Sequence, residues 1–224
     1  MIGISGKKCT GKTTLSNFLC ENYNYKAFAF ADFLKKMCSE IFEIDPVDIE
    51  DPIRKELRFK APRLCSYTHL VKVVEYIKNN TPFYQEPIDY YCKKLQGGPP
   101  LDFTSIRHIL QFIGTDILRN RIDPIFHVRA TLDSIKKSGT PLDKVIIHDC
   151  RFPNEREMIR IHNGTLVLIQ EYTQLRDSDS QKDSHQSENV LGTYKDYDIV
   201  LLNDKRRGID WFNQMAETYK EFRN

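Results

Sequence analysis

A three-layer α/β/α fold, with a central parallel sheet between helices, follows from three observations on this chain. Short apolar runs alternate with stretches of helical period, a glycine-containing loop stands between the first strand and the first helix, and a proline-rich segment interrupts the alternation. Strands separated by helices predict a parallel sheet covered on both faces. In such a sheet, ligands gather at the carboxyl ends of the strands.

Residues 1–4 are the first apolar run, and residues 14–23 have the texture of a helix. Between them, Gly6-Lys7-Lys8-Cys9-Thr10-Gly11-Lys12-Thr13 fits the phosphate-binding pattern G-x-x-x-x-G-K-[ST] in the context that the pattern requires. Residues 26–31 alternate apolar and small side chains as a short second strand, and Asp32 is placed to cap a helix over 33–42. The texture then changes. Pro46, Pro52, Pro62, Pro82, Pro87, Pro99 and Pro100 break residues 45–104 into short amphipathic pieces, such as 70–78 and 88–94, which predicts an inserted helical subdomain. A helix begins near Ser105 with Ile106, Ile109, Leu110 and Ile113 on one face, and another follows over 126–137. Residues 144–148 read as a buried strand ending at Asp149, residues 165–170 and 198–202 as two more, and residues 209–222 as a terminal helix. Ser5, Asp149 and Asn203 then lie together at strand ends. The polar stretch 171–194, carrying Arg176, Lys182 and His185, predicts a lid. The chain, 1–224, thus reads as a single domain with an insertion at about 45–104 and a lid at about 171–194.

Composition narrows the function classes. A chain of 224 residues with a net charge of +2 has no electrostatic footprint for nucleic acid or a membrane surface, so any anion must be bound locally. Six cysteines without a C-x-x-C pair, and no signal peptide or membrane-length apolar stretch, predict a reduced cytoplasmic protein without structural disulfides or zinc. Cys9 lies inside the phosphate loop and reads as a small tolerated residue.

The loop predicts a nucleoside triphosphate site. Gly6 and Gly11 let the backbone curl so that N–H groups face phosphate oxygens, Lys12 reaches the outer phosphates, and the Thr13 hydroxyl is a ligand for Mg2+. Phosphoryl transfer needs positioning and charge stabilisation more than covalent chemistry, which directs attention to arginines and a second pocket. Arg107 and Gln111, spaced i, i+4, share a helical face on which an arginine can fork onto a phosphate and an amide can read a base. In Asp149-Cys150-Arg151-Phe152-Pro153-Asn154-Glu155, Asp149 can orient a metal's water shell or accept a substrate hydroxyl, and Arg151 can neutralise a transferring phosphate. Glu155 can bind a base or orient that arginine. The same segment also reads as a helix start, with Pro153 in the first turn.

Taken in order, the loop, residues 30–35 (Phe30-Ala31-Asp32-Phe33-Leu34-Lys35), the Arg107-to-Asp116 stretch, Asp149 to Glu155 and Leu202-Asn203-Asp204 resemble the deoxynucleoside monophosphate kinases of large DNA phages and viruses. These belong to the nucleoside monophosphate kinase-like P-loop NTPases. The resemblance implies transfer from ATP, with Mg2+, to a (deoxy)nucleoside 5'-monophosphate, giving the diphosphate in the cytoplasm, a host's if the source is viral. It implies ATP binding by Gly6, Lys8, Gly11, Lys12, Thr13, Thr14, Asn203 and Asp204. It implies acceptor binding by Leu34, Lys35, Arg107, Gln111, Thr115, Asp149, Arg151 and Glu155. Charge on the moving group would be stabilised by Lys12, Arg107, Arg151 and Arg176, and no general base is needed because the acceptor phosphate is already ionised.

The chain departs from the family pattern at several points. Glu171-Tyr172 replaces an Arg-Pro pair, which leaves either Arg176 as the lid arginine or a lid without one. Phe126 stands near a customary aromatic, often Trp, and is a candidate for base stacking. Lys205-Arg206 replaces Gly-Ser, and Thr13 keeps a hydroxyl where members often place an aspartate. A dephospho-coenzyme A or phosphomevalonate kinase, and a non-catalytic nucleotide-dependent regulator, are the other readings of the loop. Arg107 with Gln111 favours an acceptor that carries a base. A homodimer is left open.

Overall fold

The computed structural model describes residues 1–95, 101–171, 191 and 193–217. They form two compact units, one of residues 1–30 and 134–224, the other of residues 31–133.

The first, the sheet unit, is built on five parallel strands. β1 (Ile2–Ser5), β2 (Lys26–Phe28), β5 (Val145–Ile147), β6 (Thr165–Glu171) and β7 (Ile199–Asn203) run in the order β2-β5-β1-β6-β7. Ile2 is in register with Ile146 on one side and Thr165 on the other, so β1 is central. Burial on both sides explains why the strands read as near-continuous apolar runs. Ile4, Ile146, Val167, Ile169 and Leu201 pack with Leu15 and Leu19 of α1 (Lys12–Tyr23) and Phe212 of the terminal helix, Gly208–Glu217. The helix Pro153–Ile161 begins at Pro153, as the sequence predicts. Because the strands are parallel, their carboxyl ends share one edge, and this edge carries Ser5, Asp149 and Asn203.

The second, the helical unit, contains α2 (Asp32–Ile41), α3 (Pro46–Glu50), α4 (Tyr67–Asn80), α5 (Ile88–Leu95), α6 (Ile106–Gln111) and the start of α7 (Phe126–Ser138). Its own core gathers Leu34, Met37, Val73, Ile77, Phe103, Ile109, Ile117 and Phe126. Ser105 caps α6, its hydroxyl accepting the His108 N–H at 3.2 Å. Asp32 does not cap α2. The cap position is Ala31 and Asp32 falls in the first turn, where an acidic residue complements the positive end of the helix dipole.

Two features depart from the expected all-helical insertion. β3 (Arg58–Cys65) pairs antiparallel with β4 (Leu101–Ser105), and the register shifts between Arg58 and Arg63, the stretch that contains Pro62. A two-stranded ribbon has only edges, so proline is tolerated there, and a mostly exposed strand has no apolar alternation to announce it. Beyond α6 the chain winds as a π-helix, Phe112–Ile122, closing with Asp123 N–H on the Leu118 carbonyl at 2.8 Å.

Candidate active site

The loop after β1 is held from several sides. Gly6 has φ 153°, and a Cβ there would meet the Ile169 carbonyl oxygen and Thr10 Oγ1 at 2.6 Å each, so only glycine fits. Gly11, at φ 103°, caps α1, and a Cβ on it would lie 2.9 Å from Asn203 Nδ2. Thr10 is buried and its hydroxyl donates to the Lys7 carbonyl at 3.0 Å, while Cys9, exposed, takes the left-handed conformation at φ 62°. The Lys12 ammonium arches over the loop to the carbonyls of Gly6 (2.8 Å) and Lys7 (2.6 Å). Lys7, Lys8 and Lys12 are close in sequence to the amino end of α1, whose first turn holds no acid, so dipole and side chains present one sign of charge to an anion. Thr13 is exposed in that turn and Thr14 half-buried.

Neighbouring strand ends complete this side. Asn203, last in β7, donates through Nδ2 to the Thr10 carbonyl at 2.9 Å and thereby ties the loop to the far strand. Asp204 Oδ1 accepts the Arg206 N–H and pairs with its Nε at 3.0 Å, and these bonds hold its carboxyl below the usual range. Lys205 pairs with Glu171 at 3.1 Å, so the Lys205-Arg206 substitution is occupied with local ion pairs. Asp149 Oδ1 accepts the Phe30 N–H at 2.7 Å, and the Cys150 N–H bonds the Ile4 carbonyl at 3.1 Å, which sets the Asp149-to-Arg151 turn beside the end of β1. Glu155, 3% exposed, accepts the N–H groups of Arg151 (2.8 Å) and Phe152 (2.9 Å) on one carboxylate oxygen. It is thus a buried brace for the backbone that carries Arg151. Burial, and then the Glu155 charge, push the Cys150 thiol well above its ordinary pKa and keep it neutral.

The remaining acceptor candidates lie in the helical unit, where α2 packs against α6 and the π-helix. Arg107 and Gln111 are half-buried one turn apart on α6, and Thr115 follows on the π-helix. Arg107 donates from Nε (3.0 Å) and Nη2 (2.8 Å) to Glu56 Oε1, and Lys35 pairs with Glu50 at 2.7 Å. Neither glutamate stands out in the sequence, because each sits in a proline-broken segment without helical period. Leu34 is a core side chain, packed so closely that a Cβ on Gly114 would meet its Cδ2 at 2.6 Å.

Phe126 is not available for base stacking. It is fully buried, stacked on Tyr84 at 5.1 Å with Phe33 edge-on at 5.4 Å, so its ring belongs to the core of the helical unit. Arg176, Lys182 and His185, with nearly all of the predicted lid, lie outside the described residues.

A family model of deoxynucleotide monophosphate kinases matches residues 72–209, which is more than half of the chain. The chain belongs to the deoxynucleotide monophosphate kinase family. Curated relatives agree along its length. A putative deoxynucleotide monophosphate kinase of Acanthamoeba polyphaga mimivirus is 29% identical over 215 residues, covering 92% of this chain and 89% of the relative. The deoxynucleotide monophosphate kinase of Enterobacteria phage T4 is 22% identical over 228 residues, covering 91% and 92%. Membership in the deoxynucleotide monophosphate kinase family sets aside the dephospho-coenzyme A and phosphomevalonate kinase readings. Among the described residues, no helix is long and apolar enough to cross a membrane.

Proposed function

We propose that this chain transfers the γ-phosphoryl group of ATP to a deoxynucleoside 5'-monophosphate, giving ADP and the deoxynucleoside diphosphate. The observation that carries this reading is the loop of Gly6 to Thr13, with Lys12 and the Asp149-to-Arg151 turn on one sheet edge, in a chain of this kinase family.

In this reading an oxygen of the ionised acceptor phosphate attacks the γ-phosphorus in line as the bond to the β,γ-bridging oxygen breaks, and the charge leaves with ADP. Lys12 and Arg151 stabilise charge on the moving group from the sheet unit, and Arg176 is assigned with them by resemblance. Lys35 and Arg107 of the helical unit bind the acceptor phosphate, and Gln111 reads the base. Lys8, Thr14, Asn203 and Asp204 serve the donor, and Asp149 and Glu155 serve through the turn they hold. Thr13, exposed in the first turn of α1, suits a divalent ion. No group of three or more His, Cys, Asp or Glu side chains is placed to hold a metal among the described residues, so a hydroxyl together with nucleotide phosphates is the donor set that fits Mg2+. When bound, that ion neutralises phosphate charge. The reading places the enzyme with its substrates in the cytoplasm, a host's if the source is viral.

Coupled measurement of ADP release over the deoxy- and ribonucleoside monophosphates tests the proposal. Stimulation by one or more deoxynucleotides is expected, and the absence of acceptor-stimulated release with every one would overturn it.

A further inference from the structure

Arg107 is gripped along one edge only. Nε and Nη2 lie side by side on the guanidinium, and both donate to a single oxygen of Glu56. A planar guanidinium fixed along that edge directs its other edge, Nη1 with the second Nη2 hydrogen, away from the carboxylate, and no described residue bonds Nη1. A two-hydrogen face of this kind matches two oxygens of a phosphate.

The carboxylate is itself presented by a braced segment. Asp45 caps α3 by accepting the Val47 N–H at 2.8 Å, and Ile49, 2% exposed, anchors that helix in the core. Asp51 then accepts the N–H groups of Ile53 (2.7 Å) and Arg54 (2.9 Å), which opens the 3-10 turn Arg54–Glu56 that ends on Glu56. Those two amides hold the Asp51 carboxyl below the usual carboxylate range. Arg54 closes the turn back onto Asp48 at 2.8 Å. Glu50, at the end of α3, meets Lys35 through one bond of 2.7 Å and so constrains a rotatable ammonium less than Glu56 constrains a plane.

We propose that Glu56 is a positioning residue for the acceptor: by holding the Nε/Nη2 edge of Arg107 it aims the opposite edge at the acceptor phosphate. This rests on the reading of Arg107 as an acceptor ligand. The opposite effect is also physically available, since a carboxylate beside an arginine competes with an incoming phosphate, and the two effects have opposite signs in acceptor KM.

The test is steady-state kinetics of the full chain, varying ATP and the best-used deoxynucleoside monophosphate separately, for Glu56→Gln, Glu56→Asp, Arg107→Ala and the double variant Glu56→Gln/Arg107→Ala. Glu56→Gln is expected to raise acceptor KM about tenfold with ATP KM within about twofold, and Glu56→Asp to recover part of the loss. Arg107→Ala should raise acceptor KM further, and adding Glu56→Gln to it should change nothing more, because the carboxylate acts only through the arginine. An unchanged or lowered acceptor KM in Glu56→Gln, beside a raised one in Arg107→Ala, overturns the positioning role and leaves Arg107 as a ligand. Wild-type kinetics in Arg107→Ala overturns both.

Discussion

The sheet unit fixes its loop through backbone and amide contacts that begin at strand ends, whereas the helical unit carries Lys35 and Arg107 on helix surfaces and restrains them with carboxylates, Glu50 at the end of α3 and Glu56 in the 3-10 turn that follows. The first arrangement depends on conformations that few residues can adopt and is intolerant of substitution. The second depends on half-exposed ion pairs, each worth little for stability, so its residues are free to serve binding. One unit is specified by shape and the other by charge.

The largest effect expected is on the shape side. Lys12→Ala should lower kcat about 10²–10³-fold with the fold intact, as for the loss of one pre-placed charge-stabilising group, and near-wild-type turnover would remove Lys12 from the chemistry. Gly6→Ala should destabilise the protein by about 2–3 kcal/mol and abolish ATP binding, because the new methyl meets a backbone carbonyl and the φ is one that L-residues avoid. Gly114→Ala sharpens the comparison. Its Cβ meets a neighbour at the same 2.6 Å, but that neighbour is the end of the Leu34 side chain, so chemical denaturation should show a smaller cost of about 1–2 kcal/mol with ATP affinity retained.

Asn203→Ala removes the amide that holds the Thr10 carbonyl. We expect about 1 kcal/mol, read as a rise in ATP KM with acceptor KM unchanged, and equal rises in both would show a broader role.

The smallest effect belongs to the helical unit. His69 Nδ1 accepts the Ser66 N–H at 3.2 Å at the start of α4, and its ring stacks on Phe42 at 5.1 Å. Burial, and then Lys72, hold its pKa below the ordinary 6.5. As pH falls below about 6.5 the unfolded chain takes up a proton first, so the stability tied to neutral His69 is present above that value and is lost below it. Denaturant melts at neutral and mildly acidic pH should show a shallower loss for His69→Gln than for the wild type. Parallel curves would show that His69 does not carry the dependence.

What was legible in the sequence follows the same division. The loop could be read because its glycines, Lys12 and Thr13 stand at spacings that backbone geometry demands, and β1, β5, β6 and β7 could be read because burial on both faces leaves continuous apolar runs. Arg107 and Gln111 could be paired by helical spacing alone. Their partners could not, since Glu56 meets Arg107 across fifty-one positions and nothing local marks it. The β3–β4 ribbon escaped notice because Pro62 and exposed charges mask its alternation. Phe126 suggested a base platform from its sequence context, yet Tyr84 and Phe33 enclose it, a consequence of tertiary packing that no short motif records.

The central place of β1 has a consequence for the order in which the protein can assemble. β1 precedes both of its hydrogen-bonding neighbours, which begin at Val145 and Thr165, so its ladder spans more than a hundred residues of intervening chain. The helical unit, by contrast, is one uninterrupted stretch, residues 31–133, with its own apolar cluster. Closing a long chain segment carries an entropic cost that must be met before its contacts form, and local contacts form sooner. The loop that follows β1 therefore acquires its β5 and β6 scaffold only after the intervening helical unit has been synthesised.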